Sequence, residues 1–432
     1  MLAERALSIG TRVLNKSFVA GEKTATVDSL PPAEADKIYM LYIHIPFCKQ
    51  LCTYCSFNRF YFEEDRTRNY YKSLRREMET VKELGYNFGA LYIGGGTPTV
   101  LLDELAGIID YAKELFPDIK DVSTETNPAD LGDELFDALT SRVDRLSVGV
   151  QSFNNELLGK ISRIETSGTA EETLARVQST VGKFDSFNVD MIFNFPSQTF
   201  EMLEKDLEMV KQTGCNQTTF YPLLASPMRR KQMAETVGKV DYSREFEMYK
   251  MICDDLYGAG FIGSSVWTFS RCKDMIIDEY IVDYPEYVGV GSGAMSYLRG
   301  QNFTNTFSLK QYHELIKEGK APIAKMTEGK KNKVLDMRYY FAAKLFGLRL
   351  DKNEFRERFG VDIAKGLPFE LNFMRAAGAF ETDNEEELIL TAKGRYLTLV
   401  MMRETLAGQN DFRDRMREIL SPEEYKELLE KD

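Results

Sequence analysis

Residues 42–55 read Tyr42-Ile-His-Ile-Pro-Phe-Cys48-Lys-Gln-Leu-Cys52-Thr-Tyr-Cys55. The segment begins on a predicted strand and runs into a loop that carries three cysteines at spacings of four and three residues. Thiolate sulfur suits iron–sulfur clusters or zinc. A structural zinc site takes four ligands, whereas Ser56 and Phe57 follow Cys55 and no fourth cysteine or histidine lies nearby. This favours an iron–sulfur cluster over zinc or a chance clustering.

Three thiolates around a [4Fe-4S] cube leave one iron without a protein ligand. The amino and carboxylate groups of S-adenosylmethionine (SAM) can chelate such an iron. An electron delivered through it cleaves a carbon–sulfur bond of SAM and yields a 5′-deoxyadenosyl radical. The cofactors carry this chemistry, and the protein positions them. We therefore predict that Cys48, Cys52 and Cys55 are the metal ligands.

A glycine-rich motif, Gly94-Gly95-Gly96-Thr97-Pro98-Thr99, directly follows the second predicted strand. Glycines there let the backbone approach a ligand closely and satisfy its polar groups. A tight turn without a ligand explains the motif equally well in isolation. Its position at the same end of the sheet as the cysteine loop favours a ligand.

The first two-thirds of the chain alternates short apolar strands with longer amphipathic helices. Six such units in series predict parallel strands with right-handed crossovers in an α/β fold, an open or closed barrel with function at the strand ends. A doubly wound sheet is the alternative. The predicted strands are Tyr39–Ile45, Ala90–Gly94, Val122–Thr126, Arg145–Val150, Ser186–Phe193 and Thr218–Pro222.

Four polar residues fall at or near the ends of these strands. Glu125 follows the third strand, Gln151 ends the fourth and Arg163 comes shortly after it, and Asp190 lies within the fifth. A single carboxylate in such a place is usually a structural cap or an ion-pair partner. Together, carboxylates for ammonium or hydroxyl groups and an arginine for a carboxylate suit a zwitterion that carries a ribose.

The pattern changes after Gly258. Phe261–Trp267 and Tyr287–Leu298 resemble further strands that cover the barrel mouth, and helices with a small two-stranded ribbon predict a winged-helix-like module at the end. Its acidic surroundings favour packing against the barrel or substrate over DNA binding. The predicted divisions are an N-terminal extension (1–37), a barrel with covering strands (38–300), a linker (301–332) and a C-terminal winged-helix-like domain (333–432).

Composition excludes several classes of function. The net charge of −12, from 55 basic and 67 acidic residues, argues against nucleic acid or an anionic membrane surface as the main partner. We expect no membrane span and no secretory signal. Six cysteines without a disulfide pattern predict a reducing, cytoplasmic setting. With only His44 and His313, the chain cannot use several imidazoles.

Five ordered motifs resemble the oxygen-independent coproporphyrinogen III oxidase family of radical SAM proteins. They are the cysteine segment, the glycine-rich motif, Gly149-Val-Gln-Ser-Phe-Asn154, Val189-Asp-Met-Ile-Phe-Asn-Phe-Pro196 and Gly289-Val-Gly-Ser-Gly-Ala-Met-Ser-Tyr297. The tail from Leu345 to Tyr396 is similar to the family's carboxyl-terminal domain. The resemblance covers nearly the whole chain beyond about residue 38.

The resemblance implies a partial (β/α)6 TIM-like barrel, one or two SAM molecules and an electron donor such as flavodoxin or ferredoxin. It implies that Tyr42 joins the three cysteines at the catalytic centre. The residues that would contact the cluster-bound SAM are Tyr42, Gly95, Glu125 and Met295. Those that would line a second SAM site are Tyr54, Gly96, Thr97, Gln151, Arg163, Asp190 and Leu223.

This family is functionally mixed, and the chain departs from two of its branches. Decarboxylating members often carry another cysteine two positions beyond the third, where this chain has Phe57. The heme-chaperone branch usually carries histidine where Met295 stands, together with a further histidine-containing heme motif. Here Val266–Lys273 offers no histidine, although Cys272 could ligate heme axially if it is not simply a buried structural cysteine.

The leading expectation is an enzyme that abstracts hydrogen from a tetrapyrrole propionate and decarboxylates it oxidatively. A second reading is a methyltransferase or an anaerobic heme-modifying enzyme that uses a second SAM, with which Gln151, Arg163 and Asp190 are compatible. A third is a heme chaperone. The basic run Arg229-Arg230-Lys231 after the sixth strand could meet propionates, and a solvated charge run is the simpler interpretation.

Overall fold

The structure, a computed structural model, describes residues 2–19, 27–277, 279–326, 332–418 and 420–429. The strands are β1 (Tyr39–Ile45), β2 (Phe47–Cys48), β3 (Phe60–Tyr61), β4 (Phe88–Gly95), β5 (Asp121–Thr126), β6 (Arg145–Gln151), β7 (Ser186–Phe193), β8 (Gln217–Pro222), β9 (Ile262–Gly263), β10 (Thr268–Ser270), β11 (Tyr287–Val290), β12 (Met295–Leu298), β13 (Gln301–Asn305), β14 (Ile323–Met326), β15 (Arg349–Asp351), β16 (Phe380–Asp383) and β17 (Glu387–Leu390).

The α-helices are α1 (Leu2–Val19), α2 (Glu64–Glu83), α3 (Leu102–Leu115), α4 (Asp133–Leu139), α5 (Asn155–Lys160), α6 (Ile164–Ser167), α7 (Ala170–Ser179), α8 (Phe200–Thr213), α9 (Pro227–Thr236), α10 (Glu245–Gly258), α11 (Leu309–Lys317), α12 (Lys333–Phe346), α13 (Lys352–Phe359), α14 (Ile363–Gly366), α15 (Pro368–Ala376), α16 (Ala392–Arg417) and α17 (Pro422–Leu429).

A twelve-stranded sheet, in the order β14-β13-β12-β11-β1-β4-β5-β6-β7-β8-β10-β9, forms the centre of the fold. The six predicted strands are β1 and β4–β8, and each pairs in parallel with its neighbour. Helices cover the sheet, so most residues of these strands are buried on both faces; β1 reads as a nearly continuous apolar run, whereas β5 is mostly polar. The α/β prediction is confirmed.

The β–α units advance in one direction, from β1 to β8, without the reversal of order that defines a doubly wound sheet. Because β14 and β9 lie at opposite edges, the sheet is an open, partial barrel. The carboxyl ends of β1, β4, β5, β6 and β7 therefore lie side by side at one rim. That rim carries the cysteine loop and the glycine-rich turn.

The strands predicted to cover the mouth instead extend the sheet at both edges. β10 and β9 continue antiparallel beyond β8, while β11 pairs in parallel with β1 and is followed by β12, β13 and β14. The predicted linker (301–332) is therefore wrong over residues 301–326, because β13 and β14 pair within the main sheet and α11 joins them. Residues 327–331 of the predicted charged link lie outside the described residues.

The C-terminal region consists of α12–α15, the three-stranded sheet β15-β17-β16 and α16. β16 and β17 correspond to the two-stranded ribbon that was predicted, and β15 is a third strand that was not. α1 packs along α16, where Arg12 Nε lies 2.6 Å from Glu404 Oε2 and the Ser8 hydroxyl donates to Glu404 Oε1 at 2.9 Å. The N-terminal extension thus includes a helix bound to the C-terminal region. Across the described residues, no helix has the length and apolar character needed to cross a membrane.

The second half of α16 returns to the barrel and closes over the cysteine loop. Arg403 forms a buried ion pair with Glu245 of α10. The Asn410 amide donates to the Leu224 carbonyl, and the Arg417 guanidinium donates to the carbonyls of Ser56 and Phe57. These contacts fix the loop that follows the third cysteine against a helix from the other end of the chain.

We predict that Arg403→Ala lowers the free energy of unfolding by about 3–5 kcal/mol, because it leaves the Glu245 carboxylate buried without its partner. Urea denaturation followed by far-UV circular dichroism measures this change. The Arg403→Met, Glu245→Leu double variant should recover most of the loss. Arg415→Ala is the matched control on the same helix, since its pair with Asp411 is exposed and worth no more than about 1 kcal/mol. Equal losses in both single variants would contradict the assignment.

Candidate cluster and SAM site

The cysteine loop is held at both ends by the backbone. β2 and β3 pair in parallel at Phe47 and Phe60, and the Phe60 N–H donates to the Pro46 carbonyl at 2.7 Å. Cys48 and Cys52 are buried and Cys55 is half-buried, and all three are free thiols. The loop therefore presents three thiols from a fixed frame at the carboxyl end of β1.

The glycine-rich turn lies directly against this loop. The Gly96 N–H donates to the Ile45 carbonyl and the Thr97 N–H to the Phe47 carbonyl, both at 2.8 Å. A Cβ on Gly96 would lie 2.7 Å from the Phe47 carbonyl oxygen and 3.0 Å from Cys48 Sγ. Gly95 has a φ of +119°, and a Cβ there would lie 2.6 Å from the His44 ring. Close approach to the cysteine loop thus requires glycine at both positions.

A hydrogen-bonded network connects two of the thiols. The Thr97 hydroxyl donates to Cys48 Sγ at 3.5 Å and accepts from Asn127 Nδ2 at 2.9 Å. Arg163 Nη1 donates to Asn127 Oδ1 at 2.8 Å and reaches Cys52 Sγ at 3.7 Å. Thr97 and Arg163 thereby donate to two of the sulfurs, with Asn127 joining them, and hydrogen bonds of this kind stabilise metal-bound thiolates.

The Cys48 thiol is protonated in the absence of metal. Burial raises the pKa of Cys48 to about 12, a rise that the Thr97 hydrogen bond and the Arg59 charge oppose. Cluster binding must therefore displace protons from the loop. In the described part of the chain, no group of three or more His, Cys, Asp or Glu side chains is arranged around a single metal ion. Thiols on separate irons of a cluster need no such convergence.

Tyr42 and His44 fasten β1 to the segment that follows Cys55. Burial lowers the pKa of His44 to about 4, so the ring is neutral at physiological pH. Its Nε2 lies 2.8 Å from the Asn58 carbonyl, which can only accept, so Nε2 carries the proton. Nδ1 then accepts from the Tyr42 hydroxyl at 2.9 Å. The histidine is a structural link and has no nitrogen left for a metal.

Glu125 lies beside the glycine-rich turn, as its strand-end position predicts. It accepts from the Tyr92 hydroxyl at 2.6 Å and from the Gly95 N–H at 3.4 Å. Its charge also adds to the rise in the Tyr42 pKa that burial causes, which places the carboxylate close to that phenol. Gly95 and Glu125, near the ends of β4 and β5, therefore form one group with Tyr42 in the middle of β1, whose ring stacks on that of Tyr92 with the centres 6.1 Å apart.

Gln151 and Asp190 occupy the neighbouring strands β6 and β7. Gln151 has a φ of +73°, the left-handed region that residues other than glycine rarely adopt. A Cβ on Gly149 would lie 2.8 Å from Gln151 Nε2, and Arg163 donates to the Gly149 carbonyl. Asp190 accepts from the Ser147 hydroxyl at 2.6 Å and from Asn188 Nδ2 at 2.7 Å.

The remaining predicted site residues lie outside the network that joins the thiols. Leu223 belongs to a small apolar cluster against which Tyr54 packs, and Tyr54 also contacts the Phe195 ring edge-on. Met295 begins β12 beside Gly289, whose strand β11 pairs with β1 at Tyr42. These residues flank the rim on its two sides.

Several site residues escaped the sequence analysis. Asn127 lies two residues after Glu125, and the local sequence does not indicate that its side chain joins Thr97 to Arg163. Arg413 and Arg417 come from α16, more than 350 positions beyond the cysteine loop, so no local spacing links them to it. Arg229 of the basic run is 2% exposed, so the solvated interpretation is wrong for that residue and holds for the exposed Lys231.

Comparisons with known proteins agree with this architecture. The profile of the Radical SAM superfamily matches residues 42–210. Heme chaperone HemW from Bacillus subtilis is 27% identical, covering 82% of this chain and 96% of that protein. HemW from Lactococcus lactis is 31% identical, covering 63% and 73%. Anaerobilin synthase from Escherichia coli O157:H7 is 29% identical, covering 66% of each chain.

Among solved structures, coproporphyrinogen III oxidase (HemN) from Escherichia coli shares the fold, with a TM-score of 0.70 at 22% identity over 85% of this chain and 90% of that one. The chain is a radical SAM protein, and its superfamily implies a [4Fe-4S] cluster and SAM. Within that superfamily it belongs to the oxygen-independent coproporphyrinogen III oxidase-like family, which includes the HemW proteins.

We predict that Asn127→Leu lowers the free energy of unfolding by about 1–3 kcal/mol, because Thr97 and Arg163 lose the amide that joins them. The reaction of Cys48 with a thiol reagent should also become slower in the variant without metal, because the Thr97 hydroxyl that stabilises the thiolate is no longer held in place. Asn69→Leu on the exposed face of α2 is the control and should change neither quantity. Unaltered stability and thiol reactivity in Asn127→Leu would rule out a structural role for the network.

Proposed function

We propose that this protein is a radical SAM enzyme that acts on a tetrapyrrole, with Cys48, Cys52 and Cys55 as the ligands of one [4Fe-4S] cluster. The observation that carries the proposal is the set of three free thiols in a fixed loop, two of them bonded to the Thr97–Asn127–Arg163 network. Such a loop supplies three ligands and supports SAM as the fourth.

The residues around the loop suit an anionic cluster. Thr97 and Arg163 would donate to the cysteine sulfurs, and the buried Arg59 would offset negative charge close to all three cysteines. A bound cluster supplies one electron for the reductive cleavage of SAM. The chain's own part is to hold the thiolates, to orient SAM and to exclude water from the rim.

For SAM at the cluster, we propose the group formed by Tyr42, Gly95 and Glu125, with Met295 at the β12 side. The Glu125 carboxylate is the natural partner of an ammonium group or of ribose hydroxyls. Its two oxygens already accept from Tyr92 and Gly95, so its orientation is fixed before SAM binds. Fixed partners of this kind reduce the ordering cost of binding.

A second SAM, and with it methyl transfer, is the alternative that one observation favours. Gln151 is held in the left-handed backbone region, a strain of about 1–3 kcal/mol that proteins retain mainly at functional sites. Gln151, Arg163 and Asp190 would form that site with Tyr54, Gly96, Thr97 and Leu223. Arg163 and Thr97 also belong to the thiol network, so the two sites would share residues.

The substrate class rests on the relatives, which include heme chaperones, an anaerobilin synthase and a coproporphyrinogen III oxidase. We propose radical attack at a propionate side chain as the leading reaction. A heme chaperone would need an axial ligand, and both nitrogens of His44 are already bonded. Nδ1 of His313 lies 2.8 Å from the Ser73 hydroxyl and forms a hydrogen bond with it. The exposed Cys272 is therefore the better candidate for an axial heme ligand.

We predict that anaerobically reconstituted protein forms 5′-deoxyadenosine from SAM and dithionite when coproporphyrinogen III or heme is present. Cys48→Ala should reduce this product to background, because the cluster loses a ligand. Mass spectrometry of the products separates the reactions: carbon dioxide release indicates decarboxylation, and S-adenosylhomocysteine indicates methyl transfer.

Cys272→Ser is the matched control, since this exposed thiol lies outside the cysteine loop and should leave 5′-deoxyadenosine formation unchanged. Stoichiometric heme binding that Cys272→Ser abolishes, without SAM cleavage in the parent protein, would favour a chaperone over the enzyme. Zinc in place of iron after reconstitution would end the proposal.

A further inference from the structure

Arg413 reaches the rim of the barrel from the C-terminal helix α16. Its guanidinium lies 4.8 Å from the centre of the Phe57 ring, and its Nη1 donates to Asn410 Oδ1 at 2.6 Å. Asn410 is itself fixed, because its amide donates to the Leu224 carbonyl. Arg413 is therefore held in place at the segment that follows Cys55.

Arg413 differs from the neighbouring arginines of α16, which each form an ion pair with an aspartate of the same helix. Arg415 pairs with Asp411 at 3.2 Å and Arg417 pairs with Asp414 at 2.8 Å. In the ranges that the structure describes, no carboxylate lies within ion-pair distance of Arg413. A half-buried guanidinium without a counter-ion costs free energy unless an anion arrives to pair with it.

The surroundings of Arg413 are aromatic. Burial raises the pKa values of Tyr42, Tyr280 and Tyr287, and the Arg413 charge opposes that rise at all three phenols. The Tyr42 and Tyr280 rings are stacked with their centres 6.2 Å apart, and Tyr287 meets Tyr280 edge-on at 5.2 Å. These half-buried rings form an aromatic wall beside the Arg413 guanidinium, a combination suited to a ligand that carries aromatic rings and an acid group.

A second layer of positive charge lies behind Arg413. Arg59, Arg229 and Arg417 are all buried near Cys55, with Asp414 as the carboxylate that faces both Arg229 and Arg417. Nε and Nη1 of Arg59 have no hydrogen-bond partner within the described ranges. A cluster would take up part of this charge, and Arg413 lies near the three tyrosines as well as near Cys55.

We propose that Arg413 binds a carboxylate of the substrate, so that the C-terminal region selects the ligand that meets the radical centre. The inference rests on the proposed function, because that function supplies a tetrapyrrole with acidic side chains. Charge-assisted bonds from arginine to a carboxylate are bidentate and directional, so this contact would also orient the macrocycle against the aromatic wall. The carboxylate of SAM is the other source of the same chemistry, and binding measurements distinguish the two.

The test uses the cluster-loaded protein under anaerobic conditions, with equilibrium binding of coproporphyrin III, of its tetramethyl ester and of SAM measured separately. Arg413→Gln should weaken coproporphyrin III binding by about 10- to 100-fold while leaving the affinities for the ester and for SAM within about twofold. Arg413→Lys should retain part of the affinity that Arg413→Gln loses, because lysine keeps the positive charge but cannot form the two parallel hydrogen bonds of a guanidinium.

Arg415→Gln is the matched control two positions away, and it should bind all three ligands as the parent does. Loss of SAM affinity in Arg413→Gln with unchanged porphyrin binding would reassign the arginine to SAM and overturn the proposal. Equal affinity of parent and Arg413→Gln for coproporphyrin III would also overturn it, whereas 5′-deoxyadenosine formation would still support the proposed function. If the parent protein does not bind coproporphyrin III and does not cleave SAM in its presence, both the inference about Arg413 and the proposed function are refuted.

Discussion

The constraint on which the rest of the structure depends is the contact between the glycine-rich turn and the cysteine loop. Parallel pairing of β1 with β4 brings the N–H groups of Gly96 and Thr97 to the carbonyls of Ile45 and Phe47, and only glycine fits at position 96. The contact fixes Thr97 where its hydroxyl reaches Cys48. From there the network continues through Asn127 and Arg163 to Cys52. A loop of three thiols thereby becomes part of the barrel rim.

The C-terminal region completes this arrangement from the outside. α16 crosses from the small three-stranded sheet of the C-terminal region to the loop, with Arg403 paired to Glu245 inside the protein and Arg417 bonded to the carbonyls of Ser56 and Phe57. The same helix supplies Arg413 to the aromatic wall. Contacts to the segment after Cys55 and the positive charge beside the tyrosines thus come from one element, and on the proposal above this element would also bind the substrate.

The sequence allowed the six parallel strands to be predicted because burial on both faces produces apolar runs that are visible locally; β1 and β7 have the predicted bounds. The edge strands β12–β14 were missed as sheet members because their pairing is not encoded in local pattern. The spacing of the three cysteines predicted thiol ligands, which stays a prediction, and the strand-end position of Glu125 placed it beside the glycine-rich turn. Asn127 and Arg413 could not be assigned, because their roles arise from contacts between distant segments. The glycine-rich motif was interpreted as a ligand-binding turn, and the structure shows that Gly96 is also needed for close packing against the cysteine loop.

The central claim is that three cysteines hold the cluster and SAM occupies the remaining iron. Electron–nuclear double resonance of the reduced protein with SAM labelled at the amino nitrogen with ¹⁵N tests it most directly. The account predicts a ¹⁵N hyperfine coupling of a directly coordinated nitrogen, present in the parent and in Cys272→Ser. A reduced [4Fe-4S] signal that is the same with and without labelled SAM would contradict the account.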